Sequence, residues 1–170
     1  MKRRDDLSAL VQLACDRYGK LDVLVSNAGI GLISPLDDLR VEDWEEMTDV
    51  DLKSVLYGIA AALPVFREQG YGHFVNTVST AGLRIVPLQS VYAAAKNAVR
   101  TISEGLARRF TGLRKDGLRR VHAEPGAETQ TLEKRDRIAI APDAVARAIA
   151  IEPPDGVDVG DIVVRPTAQD

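Results

Sequence analysis

Tyr92 and Lys96 stand four residues apart in Tyr92-Ala93-Ala94-Ala95-Lys96, within a stretch of helical pattern. That spacing puts both side chains on one face, one turn from each other. An ammonium beside a phenol favours the phenolate and lowers the tyrosine pKa from about 10 towards working pH. A tyrosine poised in this way can pass a proton to or from a carbonyl or alcohol oxygen. A Tyr-x-x-x-Lys pair on its own also fits a solvated helix face, so its context decides. Ser79 lies thirteen positions before Tyr92, directly after an apolar stretch ending at Val78. A hydroxyl at the carboxyl end of a parallel strand faces the crevice where open α/β sheets bind ligands, and there it can hydrogen-bond the same substrate oxygen. Asn27-Ala28-Gly29 follows an earlier strand-like run, where small residues let the backbone approach a ligand closely. Pro125-Gly126 occupies the matching place after a third.

These residues need a sheet and its helices to hold them. Leu7, Leu10, Val11, Ala14 and Tyr18 recur at helical spacing, and Gly19 stands where that helix would stop. Residues 21–25 read as a short buried strand. A long helix is expected over 41–67, crossing Pro64 near its end, then a strand over 73–78. The apolar stripe of Ala95, Val99, Ile102, Leu106 and Phe110 marks a helix over 90–110. A strand centred on Val121, a helix over 142–149 opened by Pro142 and a strand over 161–164 complete the series. This alternation is that of a parallel α/β sheet, with right-handed crossovers placing helices on both faces. Three strand ends and one helix then converge on a single sheet edge.

Composition narrows the classes. A chain of 170 residues is expected to form one domain, residues 1–170, around one core. With 45% hydrophobic and 28% charged residues it is not composed like a disordered chain. A formal charge of -3 predicts neither general nucleic-acid affinity nor attraction to anionic lipid. The longest uncharged apolar run, 55–66, is too short to span a bilayer and contains Pro64. Met1-Lys2-Arg3-Arg4 is followed by Asp5 and Asp6 rather than by the apolar region of a signal peptide. The single cysteine, Cys15, suits a reducing cytoplasm and reads as a small packed residue.

At this point the sequence resembles the short-chain dehydrogenases/reductases. The matching segments are Ser26-Asn27-Ala28-Gly29, Val75-Asn76-Thr77-Val78-Ser79, Tyr92-Ala93-Ala94-Ala95-Lys96 and Pro125-Gly126, in the family's order and spacing, with similarity through nearly all of the chain. The resemblance implies a partial Rossmann-type, doubly wound parallel sheet and an NAD(P)-dependent oxidoreductase acting on a small alcohol or carbonyl compound. Tyr92 would be the general acid/base, Lys96 would lower its pKa and bind the nicotinamide ribose, and Ser79 would orient the substrate oxygen. Asn27, Ala28 and Gly29 would line the cofactor path, and Pro125 and Gly126 would flank the nicotinamide. The cofactor, NADP(H) in preference to NAD(H), would carry the hydride. The tail Val163-Val164-Arg165-Pro166-Thr167-Ala168-Gln169 looks like that of a bacterial subgroup acting on small hydroxy acids and aldehydes. The family's helix pairing implies a homo-oligomer.

The chain departs from the family pattern in four places. The family's opening strand and glycine-rich phosphate turn have no counterpart, and Gly29-Ile30-Gly31 does not replace them because the next fingerprint position is Ser34. Met1 thus falls inside the pattern, with roughly 60 residues and three strands before it unmatched, and the strand over 21–25 is expected to become an apolar edge. The family's fourth catalytic position, an asparagine, is here Asp51 in Val50-Asp51-Leu52. Its charge near Lys96 would alter the coupled titration of Lys96 and Tyr92. The stretch between Gly126 and Pro142 is shorter than the family's substrate loop, and Glu128 and Thr129 are displaced by one position. These departures keep a second reading open, a catalytically silent remnant that persists as an oligomer-forming or binding protein.

The remaining candidates have plain explanations. Arg108, Arg109, Arg114, Lys115, Arg119 and Arg120 read as a solvated surface near a helix end, with no interleaved aromatics to make a nucleic-acid platform. His73 and His122 read as structural or surface residues, and no ligand spacing suggests a metal site. Trp44 is expected to pack the long helix.

Overall fold

A computed structural model of the chain describes residues 2–84, 87–109, 118–123, 143, 146 and 161–164. It opens on helix α1, Arg4–Tyr18, which carries Asp5 and Asp6 in its first turn and Arg17 in its last, matching the helix dipole at both ends. Gly19 ends it at φ 73, in the left-handed region, with its N–H on the Cys15 carbonyl at 2.8 Å. The expected apolar face is narrower than the spacing suggests. Leu7 and Val11 are buried, whereas Leu10, Leu13 and Tyr18 are exposed. Tyr18 instead carries the Arg17 guanidinium, whose carbon lies 5.8 Å from the ring centroid.

Strand β1 runs Val23–Ser26, shifted from the expected 21–25 because Leu21 is held by a side chain rather than by a ladder. The Gln69 amide donates to the Leu21 carbonyl at 2.8 Å, and its oxygen accepts the Leu21 N–H at 2.9 Å. Helix α2, Val41–Met47, continues through a π turn, Thr48–Lys53, into helix α3, Ser54–Gln69. The expected helix over 41–67 is therefore one helical path whose hydrogen bonding changes in the middle. The flanking dihedrals stay helical, with Met47 at φ -59 and ψ -43 and Ser54 at φ -59 and ψ -39. Pro64 lies inside α3, which accommodates the lost N–H and runs on to Gln69.

Strand β2, His73–Ser79, is followed by a 3-10 turn over Thr80–Gly82, helix α4, Ser90–Arg109, and strands β3, Leu118–Ala123, and β4, Asp161–Val164. The four strands form one sheet in the order β1-β2-β3-β4, with every pairing parallel. Register places Ser26 opposite Asn76, Ser79 opposite Ala123 and Ala123 opposite Val164, so the carboxyl ends lie along one edge. The parallel α/β architecture expected from periodicity is what the structure shows. Among the described residues β1 pairs on one side only, and Val23 and Val25 are 44% and 41% exposed.

The main core gathers Val11, Leu24, Ala62, Phe66 and Phe74, with Cys15, Leu21 and Ile59 packed against it. Phe66 and Phe74 meet edge to face, centroids 4.9 Å apart at 65°, a geometry worth about 0.5–1.5 kcal/mol beyond area burial. Cys15 is thus a half-buried packing residue, as its position suggests. A second cluster joins Met47, Ala81 and Tyr92, with Trp44, Ile30 and Leu32 against it. Trp44 therefore packs the long helix onto the start of α4. Asp143 and Ala146 are helical. Phe110, Arg114, Lys115, Pro125, Gly126, Glu128, Thr129 and the rest of the expected 142–149 helix lie outside the described residues, as do the side chains of Arg108, Arg109, Arg119, Arg120 and His122.

Candidate active site

Ser79 closes β2 and is 1% exposed. Its backbone is extended, φ -120 and ψ 153, and its Oγ accepts the Ala81 N–H at 3.1 Å, capping the 3-10 turn. A hydroxyl that accepts one backbone N–H still has its own proton to donate. The turn is held to α4 from the other side, where the Asn97 amide donates to the Gly82 carbonyl at 2.8 Å. A Cβ on Gly82 would stand 3.0 Å from the Asn97 nitrogen, so glycine is what lets the turn approach the helix backbone so closely.

Tyr92 and Lys96 lie on the buried face of α4, 9% and 5% exposed. The Lys96 Nζ is 5.7 Å from the centroid of the Tyr92 ring. It donates to the Thr77 carbonyl of β2 at 3.4 Å and stands 3.8 Å from the Asp51 Oδ1. Helical spacing put Lys96 and Tyr92 together and the family resemblance put Asp51 near them; the fold brings Asp51 to 3.8 Å from Lys96.

Asp51 is 1% exposed, in the middle of the π turn. Its Oδ1 accepts the Ile30 N–H at 2.8 Å, while its Oδ2 is buried without a hydrogen-bond partner. A π turn is wider than an α turn and recurs at functional sites. Here Thr48 donates to the Trp44 carbonyl at 2.8 Å and Ser54 to the Val50 carbonyl at 2.5 Å. Hydroxyls that bond back to the preceding turn loosen and bend helices, and these two bracket the change in winding. Burial pushes the Asp51 carboxyl above its ordinary value, against the pull of the Lys96 charge and the Ile30 N–H. Burial also pulls the Lys96 ammonium below its ordinary value, against the attraction of Asp51.

The Asn27–Gly29 segment leaves the carboxyl end of β1 and crosses this pair. A Cβ on Gly29 would sit 2.9 Å from both the Asp51 Oδ1 and the Lys96 Nζ, so only glycine passes here without displacing one of them. Asn27 is exposed, and its Oδ1 accepts the Thr77 hydroxyl at 3.0 Å. Ala28 is half-buried between them. Ser79, Tyr92, Lys96, Asp51 and Gly29 are thus assembled at the carboxyl edge of the sheet. The Ile30 N–H and the Thr77 carbonyl are main-chain groups and leave no signature in residue type. The π turn is marked only in the structure, by the Thr48 and Ser54 hydroxyls bonded back to Trp44 and Val50 on either side of Asp51.

Among the described residues no group of three or more His, Cys, Asp or Glu is arranged to hold a metal ion. Nor is any helix among them long and apolar enough to cross a membrane.

The residues present fit the nicotinamide-ribose end of a dinucleotide. Lys96 brings a buried cation and Gly29 brings backbone unobstructed by a side chain.

The chain is similar to known proteins over nearly all of its length. An uncharacterised oxidoreductase of Listeria monocytogenes is 40% identical over 98% of this chain, which spans 73% of the relative's length. Serine dehydrogenase from Escherichia coli superposes with a TM-score of 0.76 at 30% identity, covering 99% of this chain and 74% of that one. A metagenomic short-chain oxidoreductase solved in complex with NADP superposes with a TM-score of 0.77 at 25% identity, covering 98% of this chain and 71% of that one. The short chain dehydrogenase family model matches residues 1–136. The chain therefore belongs to the short-chain dehydrogenases, Rossmann-type oxidoreductases that work with a nicotinamide cofactor.

Proposed function

We propose that this chain, acting as a single domain over residues 1–170, interconverts a small alcohol or hydroxy acid and its carbonyl compound, with NADP(H) in preference to NAD(H). The observation that carries the reading is that Ser79, Tyr92 and Lys96 are all buried at the carboxyl edge of a parallel sheet, with Lys96 beside the Tyr92 ring and the turn after Ser79 packed on Tyr92 through Ala81. When bound, the nicotinamide supplies or accepts the hydride. In the reducing direction the Tyr92 hydroxyl gives its proton to the substrate oxygen as the carbon gains the hydride, leaving an alcohol and a phenolate. Ser79 donates to the same oxygen and fixes its distance from Tyr92. Lys96 stabilises the phenolate and offers its remaining donors to the ribose. Asp51 acts on substrate only through Lys96 and is a positioning residue. Asn27, Ala28 and Gly29 border the cofactor, and Pro125 and Gly126 are assigned to the nicotinamide by sequence alone.

The preference for NADP(H) is supported by the NADP-bound metagenomic relative, and the hydroxy-acid class by the resemblance to serine dehydrogenase. Homo-oligomerisation and a cytoplasmic location are part of the same reading. Calorimetric titration with NADPH and NADH, followed by turnover assays on L-serine and short aldehydes, tests it. Saturable NADPH binding tighter than NADH binding is expected, with turnover lost in Tyr92→Phe. Absence of binding at millimolar cofactor would overturn the enzyme reading and leave the silent, oligomer-forming one.

A further inference from the structure

Lys96 and Asp51 are a pair of opposite charges enclosed by protein. Lys96 is 5% exposed and Asp51 1%, and the two approach to 3.8 Å. A buried cation in contact with no anion reverts to the neutral amine, because desolvation penalises only the charged form. What surrounds Lys96 is therefore decisive. From β2 comes the Thr77 carbonyl, and from the loop after β1 the backbone of Gly29; neither carries a charge. On α4 the ionisable neighbours one turn away are Tyr92 and Arg100. On the π turn the charged residues are Asp49, Asp51 and Lys53, and Asp49 and Lys53 are engaged with each other at 2.6 Å. Among the described residues Asp51 is the anion that raises the proton affinity of Lys96 against burial.

We propose that Asp51 is the counter-ion that keeps Lys96 charged inside the site, and so acts as a positioning residue for the Tyr92 chemistry. This deepens the function proposed above and rests on it for the role of Lys96. The geometry separates charge from shape. An asparagine at position 51 would accept the Ile30 N–H through its amide oxygen just as the Asp51 Oδ1 does at 2.8 Å, so the loop over the pair would keep its tie. Only the carboxylate supplies the negative charge. The ammonium approaches the same Oδ1 that takes the Ile30 N–H, at 3.8 Å.

The test is a titration of Lys96 itself by carbon NMR, using protein labelled at the lysine ε-carbons. Lys96→Met identifies its signal among the six lysines. The midpoint of Lys96 should fall by at least about one pH unit in Asp51→Asn, a tenfold loss of proton affinity, and Asp51→Glu should recover part of it. An unchanged midpoint in a folded Asp51→Asn variant would overturn the proposal. Should that variant fail to fold, the wild-type protein decides. Its Asp51 carboxyl carbon and Lys96 ε-carbon should report a shared inflection, and independent inflections would count against the pair. The measurement needs neither cofactor nor turnover. An inactive chain with a downshifted Lys96 would retain this inference while losing the enzyme reading, and an active chain with an unmoved Lys96 would do the reverse.

Discussion

A methyl group on Gly29 would lie 2.9 Å from the Lys96 Nζ, closer than a Cβ can stand without moving its neighbour. The same added carbon meets the Asp51 Oδ1 at the same distance. Gly29→Ala should therefore displace either the loop or the charged pair. The expected outcome is a loss of kcat/KM of about 10-fold to 100-fold, the scale of a small misplacement at a catalytic group. A stability cost of about 1–3 kcal/mol is expected from the overpacking, read from the denaturant midpoint.

Tyr92→Phe removes the proton donor while keeping the ring against Met47 and Ala81. Turnover should drop by about 10²–10⁴-fold, with the thermal midpoint nearly unchanged. Steady-state assays at matched cofactor saturation check this. Turnover equal to wild type would remove Tyr92 from the chemistry.

Asn76 and Ser103 are both fully buried, and the Asn76 amide donates to the Ser103 Oγ at 2.8 Å, joining β2 to α4. Ser103→Ala leaves that amide without this acceptor. The expected cost is about 1–3 kcal/mol of unfolding free energy, with little effect on catalysis because Ser103 lies about three turns along α4 from Tyr92. Urea unfolding monitored by circular dichroism measures it.

The buried pair also predicts a pH signature. Asp51 has its proton affinity raised by folding, so its contribution to stability is complete below the ordinary carboxylate value of about 4 and is lost as pH rises through its folded value. Lys96 has its affinity lowered, so its contribution is complete above its ordinary value of about 10.4 and is lost as pH falls through its folded value. Both losses are in force at pH values above the folded value of Asp51 and below that of Lys96. Replacing the two together, Asp51→Asn with Lys96→Met, should raise the unfolding free energy near pH 7 by up to about 1–4 kcal/mol while abolishing turnover. Either change alone should lower it, since one buried charge is then unpaired. Urea midpoints across pH for the three variants test this, and a double variant less stable than both singles would contradict it.

Much of the fold was legible because its signals are local. The short apolar runs around Leu24 and Val75, the stop at Gly19 and the stripe through Ala95 and Val99 each depend on residues close in sequence, and each element stands near its expected place. The exposure of Leu10 and Tyr18 was not legible, since a spacing reports that a face can be buried but not how much of it a neighbouring helix covers. Tyr92 and Lys96 could be read together because four residues of helix join them. Asp51 reached the same point from 45 positions earlier, and its distance to Lys96 depends on a sheet that brings the long helix and α4 side by side. The winding of that helix was hidden for a different reason. An apolar period does not distinguish an α turn from a π turn, and here two hydroxyls decide between them.

The π turn at Thr48–Lys53 works as a phase shift between two halves of one helix. Ahead of it, Trp44 and Met47 are fitted to the Tyr92 cluster; behind it, Ala62 and Phe66 are fitted to the sheet core. A continuous α-helix would tie both fits to a single rotation, so any adjustment at the chemistry would propagate into the packing of Phe66. With the slack taken up around Asp51, each half keeps its own rotation. The segment that aims the carboxylate can thus be retuned by substitution while the framework that carries it stays put.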